Sequence, residues 1–262
     1  MSDVVRRIRL DPADRRHRTA VQLASVLIVV LAWYGASSLA PSIFPRPGAI
    51  VAALLEQLRH EGLVLAIVLA LQAILLGYAL AILAGIPIGL AMGLDRLTEE
   101  LLDPYLYGLY VTPFAALIPA LIIWFGTGFT VRVLVVFFFA LFPIVINTLQ
   151  GAKNAPQELL DAVRSFGADR WFLLRHVVVP HEVPYIVAGL RIGIGRAVKG
   201  LVVTELLVSV TGLGAILTRW SSAFRLEGVF SVVLVLMAIG AVLSWILRRI
   251  ERRVVHWESD VD

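Results

Sequence analysis

The chain has 262 residues, of which 59% are hydrophobic and only 16% are charged, and its mean hydropathy is +0.87. Soluble domains carry about 25% charged residues, so this composition excludes a compact soluble enzyme, a disordered protein and a disulfide-stapled secreted domain. Cysteine is absent, which removes thiolate nucleophiles, cysteine zinc sites and iron–sulfur clusters. The composition predicts one integral membrane domain.

Six stretches are long and apolar enough to cross a bilayer, which takes about 20 residues per helix. They are residues 19–40, 63–94, 105–126, 131–149, 184–210 and 229–247. The loops on the side of the termini hold fifteen lysines and arginines. The loops on the other side hold five, which are Arg46, Arg59, Arg132, Arg219 and Arg225. By the positive-inside rule, both termini and the loop 150–183 are predicted to be cytoplasmic. The net positive charge therefore indicates orientation rather than nucleic acid binding.

The chain begins with a basic segment, residues 1–18, followed by the first apolar stretch. A cleavable signal peptide is the alternative, but the stretch 19–40 is longer than an ordinary signal core. We therefore expect it to remain as the first transmembrane helix.

Residues 41–62, on the external side, include an amphipathic segment that predicts an interfacial helix. Its apolar face would consist of Ile50, Val51, Leu54, Leu55 and Leu58, with Glu56, Gln57, Arg59 and His60 elsewhere. We expect this helix to anchor the chain in the outer leaflet. Docking of an external partner is the alternative.

Helix-breaking residues are concentrated in the second, third and fourth spans. We predict helix bends at Pro87, Pro113, Pro119 and Pro143. A carbonyl freed in lipid must find a partner within the protein or in a water-filled cavity, so bent helices favour a bundle around a polar path. The alternative is that prolines and small residues serve close helix packing, as the GxxxG spacing of Gly189 and Gly193 would within one chain or in a dimer.

The fifth span contains four charged residues, each of which costs about 2.5–3.5 kcal/mol at the bilayer centre. Arg191 lies near the cytoplasmic end and can reach the surface. Arg196 and Lys199 lie one helical turn apart and repel each other unless an anion or water lies between them, while Glu205 points away from both. Arg196, Lys199 and Glu205 are therefore candidate residues of a translocation path, and structural ion pairs between helices are equally compatible.

The loop 150–183 predicts two short helices. Asn154 with Gln157 resembles a capping box, and Gly167 suits a left-handed stop at the end of the first helix. Asp169 is expected to cap a second helix over residues 170–178, which Pro180 would terminate. An ordered, charged hairpin between two spans indicates a surface for another protein; a solvated loop is the alternative.

Residues 161–180, DAVRSFGADRWFLLRHVVVP, resemble the EAA loop of ABC importer permeases, with Asp161 in place of the usual glutamate. Further strings resemble the permeases of the nitrate/sulfonate/taurine group. They are PFAALIPALIIWFGTG (113–128), FPIVINTLQG (142–151), PYIVAGLRIGIGRAVKGLVVTELL (184–207) and GLG (212–214). One departure is Ala73, where such permeases often carry an arginine.

The resemblance implies an all-α membrane protein with the six-helix type I ABC importer permease fold over residues 60–250, followed by a cytoplasmic tail, 251–262. It implies a dimer of permeases in the bacterial inner membrane, two cytoplasmic ABC ATPases bound to the loop 150–183, and an external binding protein, soluble or lipid-anchored. The residues it places in contact with the ATPase are Glu158, Asp161, Ala162, Gly167, Arg170 and Pro180. No cofactor is expected in this chain, which lacks a GxxxxGK[ST] motif, so the ATPases would bind ATP and Mg²⁺.

The preferred solute is a small anion such as a sulfonate, taurine or nitrate, because two cations interrupt the fifth span. A vitamin precursor or other heterocycle is the alternative within the same class. A second alternative is an ion-coupled secondary transporter that uses Lys199 and Glu205. A membrane-embedded enzyme is not favoured, because the five histidines are scattered over loops and tails and predict neither a catalytic nor a metal site.

Overall fold

The structure is a computed structural model that describes residues 15–41, 43–208 and 210–254. Every regular element within these ranges is helical. The helices are α1 (Arg15–Leu39), α2 (Pro47–His60), α3 (Leu63–Leu94), α4 (Arg96–Val111), α5 (Ile118–Phe125), α6 (Phe129–Lys153), α7 (Gln157–Ser165), α8 (Arg170–Leu173), α9 (Val179–Val208), α10 (Gly212–Ser222) and α11 (Leu226–Val254). A 3₁₀ turn (Phe114–Leu117) precedes α5, and a π-helical turn (Leu174–Val178) joins α8 to α9. The predicted segments 1–18 and 251–262 lie largely outside the described residues.

Among the described residues, four helices are long and apolar enough to cross a membrane: Val21–Leu39, Leu63–Leu94, Phe129–Lys153 and Leu226–Glu251. Two bent pairs of helices raise the number to six if each pair is one span. These pairs are Arg96–Val111 with Phe114–Phe125, and Trp171–Val208 with Gly212–Ser222. The described helices thus provide four to six candidate spans, and both the number six and the cytoplasmic location of the termini stay predictions.

Helix α6 lies at the centre of the bundle, between α3 and α9. Glycines allow the close approach: a Cβ at Gly89 of α3 would lie 2.7 Å from the carbonyl oxygen of Val145. Gly189 and Gly193 of α9 pack against α6 in the same way, so this GxxxG pair serves packing within one chain. Tyr78 Oη of α3 donates a hydrogen bond of 2.8 Å to the carbonyl oxygen of Leu190 and ties α3 to α9.

The third predicted span is broken at Pro113. Helix α4 ends at Val111, and the chain bends by 86° before the 3₁₀ turn and α5. Thr112 has a ψ of 132°, the extended conformation that a following proline favours. Pro119 lies in the first turn of α5, where its missing N–H leaves no helical bond unmade.

Pro87 and Pro143 lie inside α3 and α6 without dividing either helix. Membrane helices tolerate such prolines where neighbouring groups satisfy the backbone. The side-chain amide of Asn147 adds a hydrogen bond of 2.7 Å to the carbonyl of Pro143 itself, whereas the carbonyl that this proline leaves without its helical donor is that of Phe139, four residues earlier. Both helices nevertheless continue past their prolines.

The prediction that Pro180 ends the second hairpin helix is wrong. The helix continues through the π-helical turn and runs from Trp171 to Val208. In that turn the amide of Val179 donates to the carbonyl of Leu174, five residues back. This wider turn accommodates the proline ring that follows it. The second half of the predicted hairpin and the fifth span are thus one helix.

The predicted capping box of Asn154 and Gln157 is also wrong. Helix α7 begins at Gln157 with Pro156 as its N-cap, which has no side-chain hydrogen bond. Pro156 has an extended ψ of 110° and disfavours helical conformation in the residue before it, so the helix cannot begin earlier. Asn154 instead caps the C-terminus of α6, and its side-chain nitrogen lies 3.4 Å from Tyr185 Oη.

The predicted interfacial helix exists as α2, but its faces differ from the prediction. The face packed on α11 includes Ile50, Ala53 and Gln57, which are buried, whereas Val51 and Leu55 are about half exposed. Gln57, expected on the polar face, donates to the carbonyl of Gly228 at 3.1 Å and accepts from Ser231 Oγ at 2.8 Å. Burial is tolerated because both ends of the amide have partners.

Candidate functional site

The loop 150–183 is hereafter called the coupling loop. It has one buried face and one exposed face. Its buried face is a small apolar cluster that includes Leu160, Leu173 and Val177. Its exposed face contains the predicted contact residues Glu158, Asp161 and Ala162. Asp161 accepts a hydrogen bond of 3.1 Å from Arg164, one turn away on the same helix. The cluster fixes the hairpin, so these side chains are presented on an ordered surface.

Gly167 makes the turn between the two helices of the coupling loop. Its φ of +83° is the left-handed conformation that the sequence predicts, and side chains other than glycine rarely adopt it. Asp169 then accepts a hydrogen bond of 2.7 Å from the amide of Phe172, which caps the second helix as predicted. The turn leaves Phe166 90% exposed.

A cavity of about 470 Å³ opens beside Gly167. It is lined by Val163, Phe166, Gly167, Ala168, Asp169 and Phe172. Trp171, which precedes the lining residue Phe172 in the sequence, is 66% exposed. Pro180 is exposed further along the same helix, and the side chain of Arg170 lies outside the described part of the chain. The coupling loop thus combines carboxylates with exposed aromatic groups around a concavity.

Arg196 lies on the exposed side of α9, against the end of α4. Its Nη2 donates a hydrogen bond of 3.2 Å to Tyr110 Oη, and the guanidinium lies 5.4 Å from the centroid of the Tyr110 ring. The two residues line a cavity of about 100 Å³ together with Leu109, Thr112, Phe114, Phe138, Phe139 and Phe142. An arginine within an aromatic wall can bind an anion through its fork of donors or a planar ring by stacking.

Lys199, one turn further along α9, is exposed on a different cavity. That cavity has a volume of about 580 Å³, lies between α9, α10 and α11, and is otherwise apolar, with Val202, Leu236 and Met237 in its wall. Within the described ranges neither Arg196 nor Lys199 has an ion-pair partner, whereas Arg191 pairs with Glu251 of α11. The structure therefore separates the two neighbouring cations onto different surfaces.

Glu205 forms a buried ion pair with Arg132 of α6. The distance from Arg132 Nε to Glu205 Oε1 is 2.7 Å, and both side chains are at most 4% exposed. Arg132 Nη2 also donates to the carbonyl and the hydroxyl oxygens of Thr211, at 2.9 and 2.8 Å. The second carboxylate oxygen of Glu205 accepts from the amide of Gly214 at 2.7 Å. The sequence left open whether Glu205 is a path residue or a member of a structural ion pair. Its contacts are those of a structural ion pair.

Two glycines of the GLG string make room for this ion pair. A Cβ at Gly214 would lie 1.9 Å from the carbonyl oxygen of Glu205. Gly212 has a φ of +70°, and a Cβ there would lie 2.9 Å from Arg132 Nη2. The string therefore lets the start of α10 close over the two charges.

Sequence reasoning missed Arg132 and Tyr110. Arg132 was counted among the external loop residues, because it lies close to the predicted start of the fourth span, yet it is directed into the bundle and is 3% exposed. The sequence does contain a signal for this ion pair. Arg132 lies between two valines, Glu205 lies in an apolar span shortly before the GLG string, and the two charges are opposite. Tyr110 gave no signal, since its role depends on the bend at Pro113.

Residues 81–256 match the family described as "Binding-protein-dependent transport system inner membrane component". The chain belongs to this family and is a type I ABC transporter permease of the nitrate/sulfonate/taurine group.

Among its relatives is the taurine transport system permease protein TauC of Escherichia coli (strain K12), 30% identical over 95% of this chain and 93% of the relative. The riboflavin transport system permease protein RibX of Chloroflexus aurantiacus is 35% identical over 63% of this chain and 61% of the relative. The nitrate import permease protein NrtB of Leptolyngbya laminosa is 31% identical over 76% of this chain and 71% of the relative. The family assignment therefore agrees with the resemblance drawn from the sequence.

Proposed function

We propose that the chain is the membrane subunit of an ATP-driven importer in the bacterial inner membrane and that it moves solute by alternating access. Two copies form the path, and two cytoplasmic ATPases, which bind ATP and Mg²⁺, dock on the coupling loops. An external binding protein delivers the solute. The chain itself catalyses no reaction and transmits movement from the ATPases to the path.

The observation that carries this proposal is the continuity of the coupling loop with the fifth span. The helix from Trp171 to Val208 begins beside Gly167 and ends at the break before α10. At about 1.5 Å per residue it is longer than the roughly 30 Å hydrocarbon core. A displacement of the coupling loop therefore acts on one continuous helix that is long enough to cross the membrane.

The surface of the coupling loop suits a protein partner. Phe166 and Trp171 are mostly exposed although they lie outside the apolar spans. Exposed aromatic residues beside charged ones are typical of interface anchors. We place the ATPase against this surface, with Phe166 and the cavity beside Gly167 at its centre and Glu158, Asp161, Ala162, Arg170 and Pro180 around it.

For the path, we keep both Arg196 and Lys199 as candidate wall residues, each on its own cavity beside α9. Both are exposed and lack an ion-pair partner among the described residues, although a charge in lipid requires a partner or water. Glu205 lies behind the wall, because Arg132 already neutralises its charge. This arrangement gives Glu205 no free site for a coupling ion and weakens the secondary-transporter alternative.

The preferred solute is a small anion, since the free donors of Arg196 and Lys199 are cationic. The aromatic lining around Arg196 favours a second candidate, a planar heterocycle that would stack on Tyr110 or its neighbouring phenylalanines. RibX, a relative by sequence, is described as a riboflavin transport permease. A ligand screen on the cognate binding protein, with a sulfonate, nitrate and a flavin as probes, distinguishes the two candidates.

The coupling role is tested in proteoliposomes that contain the chain with its ATPase and binding protein. Gly167→Trp should abolish uptake and the stimulation of ATP hydrolysis by loaded binding protein, while membrane insertion persists. Gly167→Asn is the matched control, because asparagine tolerates the left-handed conformation, and it should retain most of the activity. Unaltered stimulation in Gly167→Trp, or uptake by the chain without the ATPase, would contradict the proposal.

A further inference from the structure

Helix α10 is attached to the long helix of the coupling loop by a charged contact rather than by chain continuity alone. The helix ends at Val208, and α10 begins at Gly212 after a bend of 53°. Glu205 lies in the last turn of α9 and bonds to the amide of Gly214, in the first turn of α10. Arg132 of α6 bonds both to Glu205 and to Thr211, the residue just before α10. One ion pair thus connects α6, α9 and α10.

We propose that Arg132 and Glu205 are positioning residues that make α10 follow α9 when the ATPases move the coupling loop. The inference rests on the proposed function. We call this ion pair the joint. Its proposed role is to transfer to α10 the movement that begins where the long helix meets the coupling loop.

The geometry of the joint leaves little freedom. Each charged side chain makes bonds to two different segments, and the glycines at 212 and 214 have no room for a side chain. Both charges are buried, so separating them would leave two unpaired charges out of water. Movement of the end of α9 without α10 is therefore more costly than movement of the two together.

The other end of α10 shows where such movement would go. Trp220 Nε1 donates a hydrogen bond of 2.9 Å to Glu61, just beyond α2, and the ring of Trp220 lies 4.0 Å from the guanidinium of Arg225 before α11. Helix α10 therefore connects the joint to α2 and α11. On the predicted topology this end faces the exterior, so the joint places the outer end of the bundle under the control of the coupling loop.

A purely structural ion pair would not need this chemistry. Well-packed apolar residues often stabilise a bundle as well as a buried ion pair does, because they avoid the cost of desolvating charges. The hydrogen bonds instead fix the orientation of α10 relative to α9. A role in orientation predicts that weakening the joint separates ATP hydrolysis from transport.

The first test compares Glu205→Gln with Glu100→Gln in the assembled importer. An uncharged amide at 205 cannot accept strongly from both Arg132 and Gly214. Glu100 forms an exposed ion pair of 2.8 Å with Arg96 on α4, away from the joint and from α10, and is the matched control. We expect Glu205→Gln to lower the amount of solute imported per ATP by about tenfold while ATP hydrolysis continues, and Glu100→Gln to leave this ratio unchanged. A wild-type ratio in Glu205→Gln, or a parallel loss of hydrolysis and uptake in folded complex, would overturn the proposal.

The second test does not depend on transport. Since the chain has no cysteine, single cysteines at Ile192 of α9 and Thr218 of α10, both exposed, accept spin labels without background. The label-to-label distance should be narrow in the wild-type background, with and without trapped ATP, and broad in Glu205→Gln and in the charge-conserving Arg132→Lys. Equal widths in all three would overturn the joint even if the importer function holds. ATP-independent uptake would refute the importer function. The widths of the label-to-label distances would still show whether the joint fixes α10 relative to α9.

Discussion

Three of the charged residues in the long helix of this permease, Glu205, Arg196 and Lys199, differ sharply in their surroundings. At its end, Glu205 is 3% exposed and makes short bonds to Arg132 and Gly214. In its middle, Arg196 and Lys199 are exposed, and neither has an ion-pair partner among the described residues. The same helix thus carries one neutralised carboxylate and two cations available to other groups.

On the function proposed above, this difference separates a structural role for Glu205 from a role in contact with solute for Arg196 and Lys199. A buried charge is stabilised when it is paired and hydrogen-bonded. The fold supplies both for Glu205, whereas Glu182, buried in the same helix, has neither among the described residues. An exposed cation within a membrane span needs water or an anion from elsewhere, which is what a solute path provides. The predictions below test this division, from the largest expected effect to the smallest.

The largest effect is expected at Gly214. Gly214→Ala places a Cβ against the carbonyl of Glu205, a backbone atom that cannot move aside. We expect a loss of about 4–5 kcal/mol or failure to fold, measured by thermal unfolding of the purified chain in detergent. Gly195→Ala in the middle of α9 is the control, because a Cβ there meets no atom within 4 Å, and it should stabilise the helix slightly. Similar melting of the two variants would disprove the close packing around the ion pair.

The next effect is expected at Arg132. Arg132→Met removes one member of the buried ion pair and leaves Glu205 charged and unpaired, at a cost of about 3–5 kcal/mol in unfolding free energy. Denaturant unfolding in mixed micelles measures it. Arg225→Met removes an arginine whose ion pairs are half exposed, and its loss should be clearly smaller. Equal losses would mean that burial does not distinguish the two arginines.

The sequence predicted more of the fold than of the site. Helix α3 has the bounds that hydropathy predicted, and Gly167 and Asp169 have the predicted turn and cap, because these features depend on local composition. Pro180 and Asn154 were interpreted by the same local rules and gave wrong boundaries. A π-helical turn lets the helix continue past Pro180. Pro156 restricts the residue before it and moves the start of α7 to Gln157.

The ion pair could not be predicted from local patterns. Arg132 and Glu205 are 73 residues apart and meet only because α6 packs on α9. Counting charges by loop placed Arg132 outside the bundle, since such a count cannot show which way a residue at a helix end is directed. Gln57 was misassigned for the same reason, because its partners lie on α11, 171 and 174 residues away.

A functional effect without a large loss of stability is expected at Arg196. Arg196→Met removes one hydrogen bond to Tyr110 and a cation–π contact, worth about 1 kcal/mol at an exposed site. Uptake of an anionic solute should fall by about tenfold or more, because a hydrogen bond to a charged group is lost, while the ATPase still binds. Lys199→Met is expected to behave in the same way. The uptake of a radiolabelled anion measures the effect of both variants. Arg191→Met is the control, because Arg191 already pairs with Glu251. Full uptake in Arg196→Met and Lys199→Met would remove the argument for an anion.

The smallest effect on stability is expected at Asp161. Its contact with Arg164 is an exposed pair three residues apart on α7, with both side chains more than half exposed. Such pairs contribute about 0.5 kcal/mol or less, so Asp161→Asn should melt like the wild type. Any weakening of ATPase binding, measured by co-purification under increasing salt, then reports a direct contact with the partner. Arg175→Gln, on the exposed side of the helix that follows, changes the charge of the loop in the opposite direction. Opposite effects of the two variants on ATPase binding would assign it to overall charge rather than to this carboxylate.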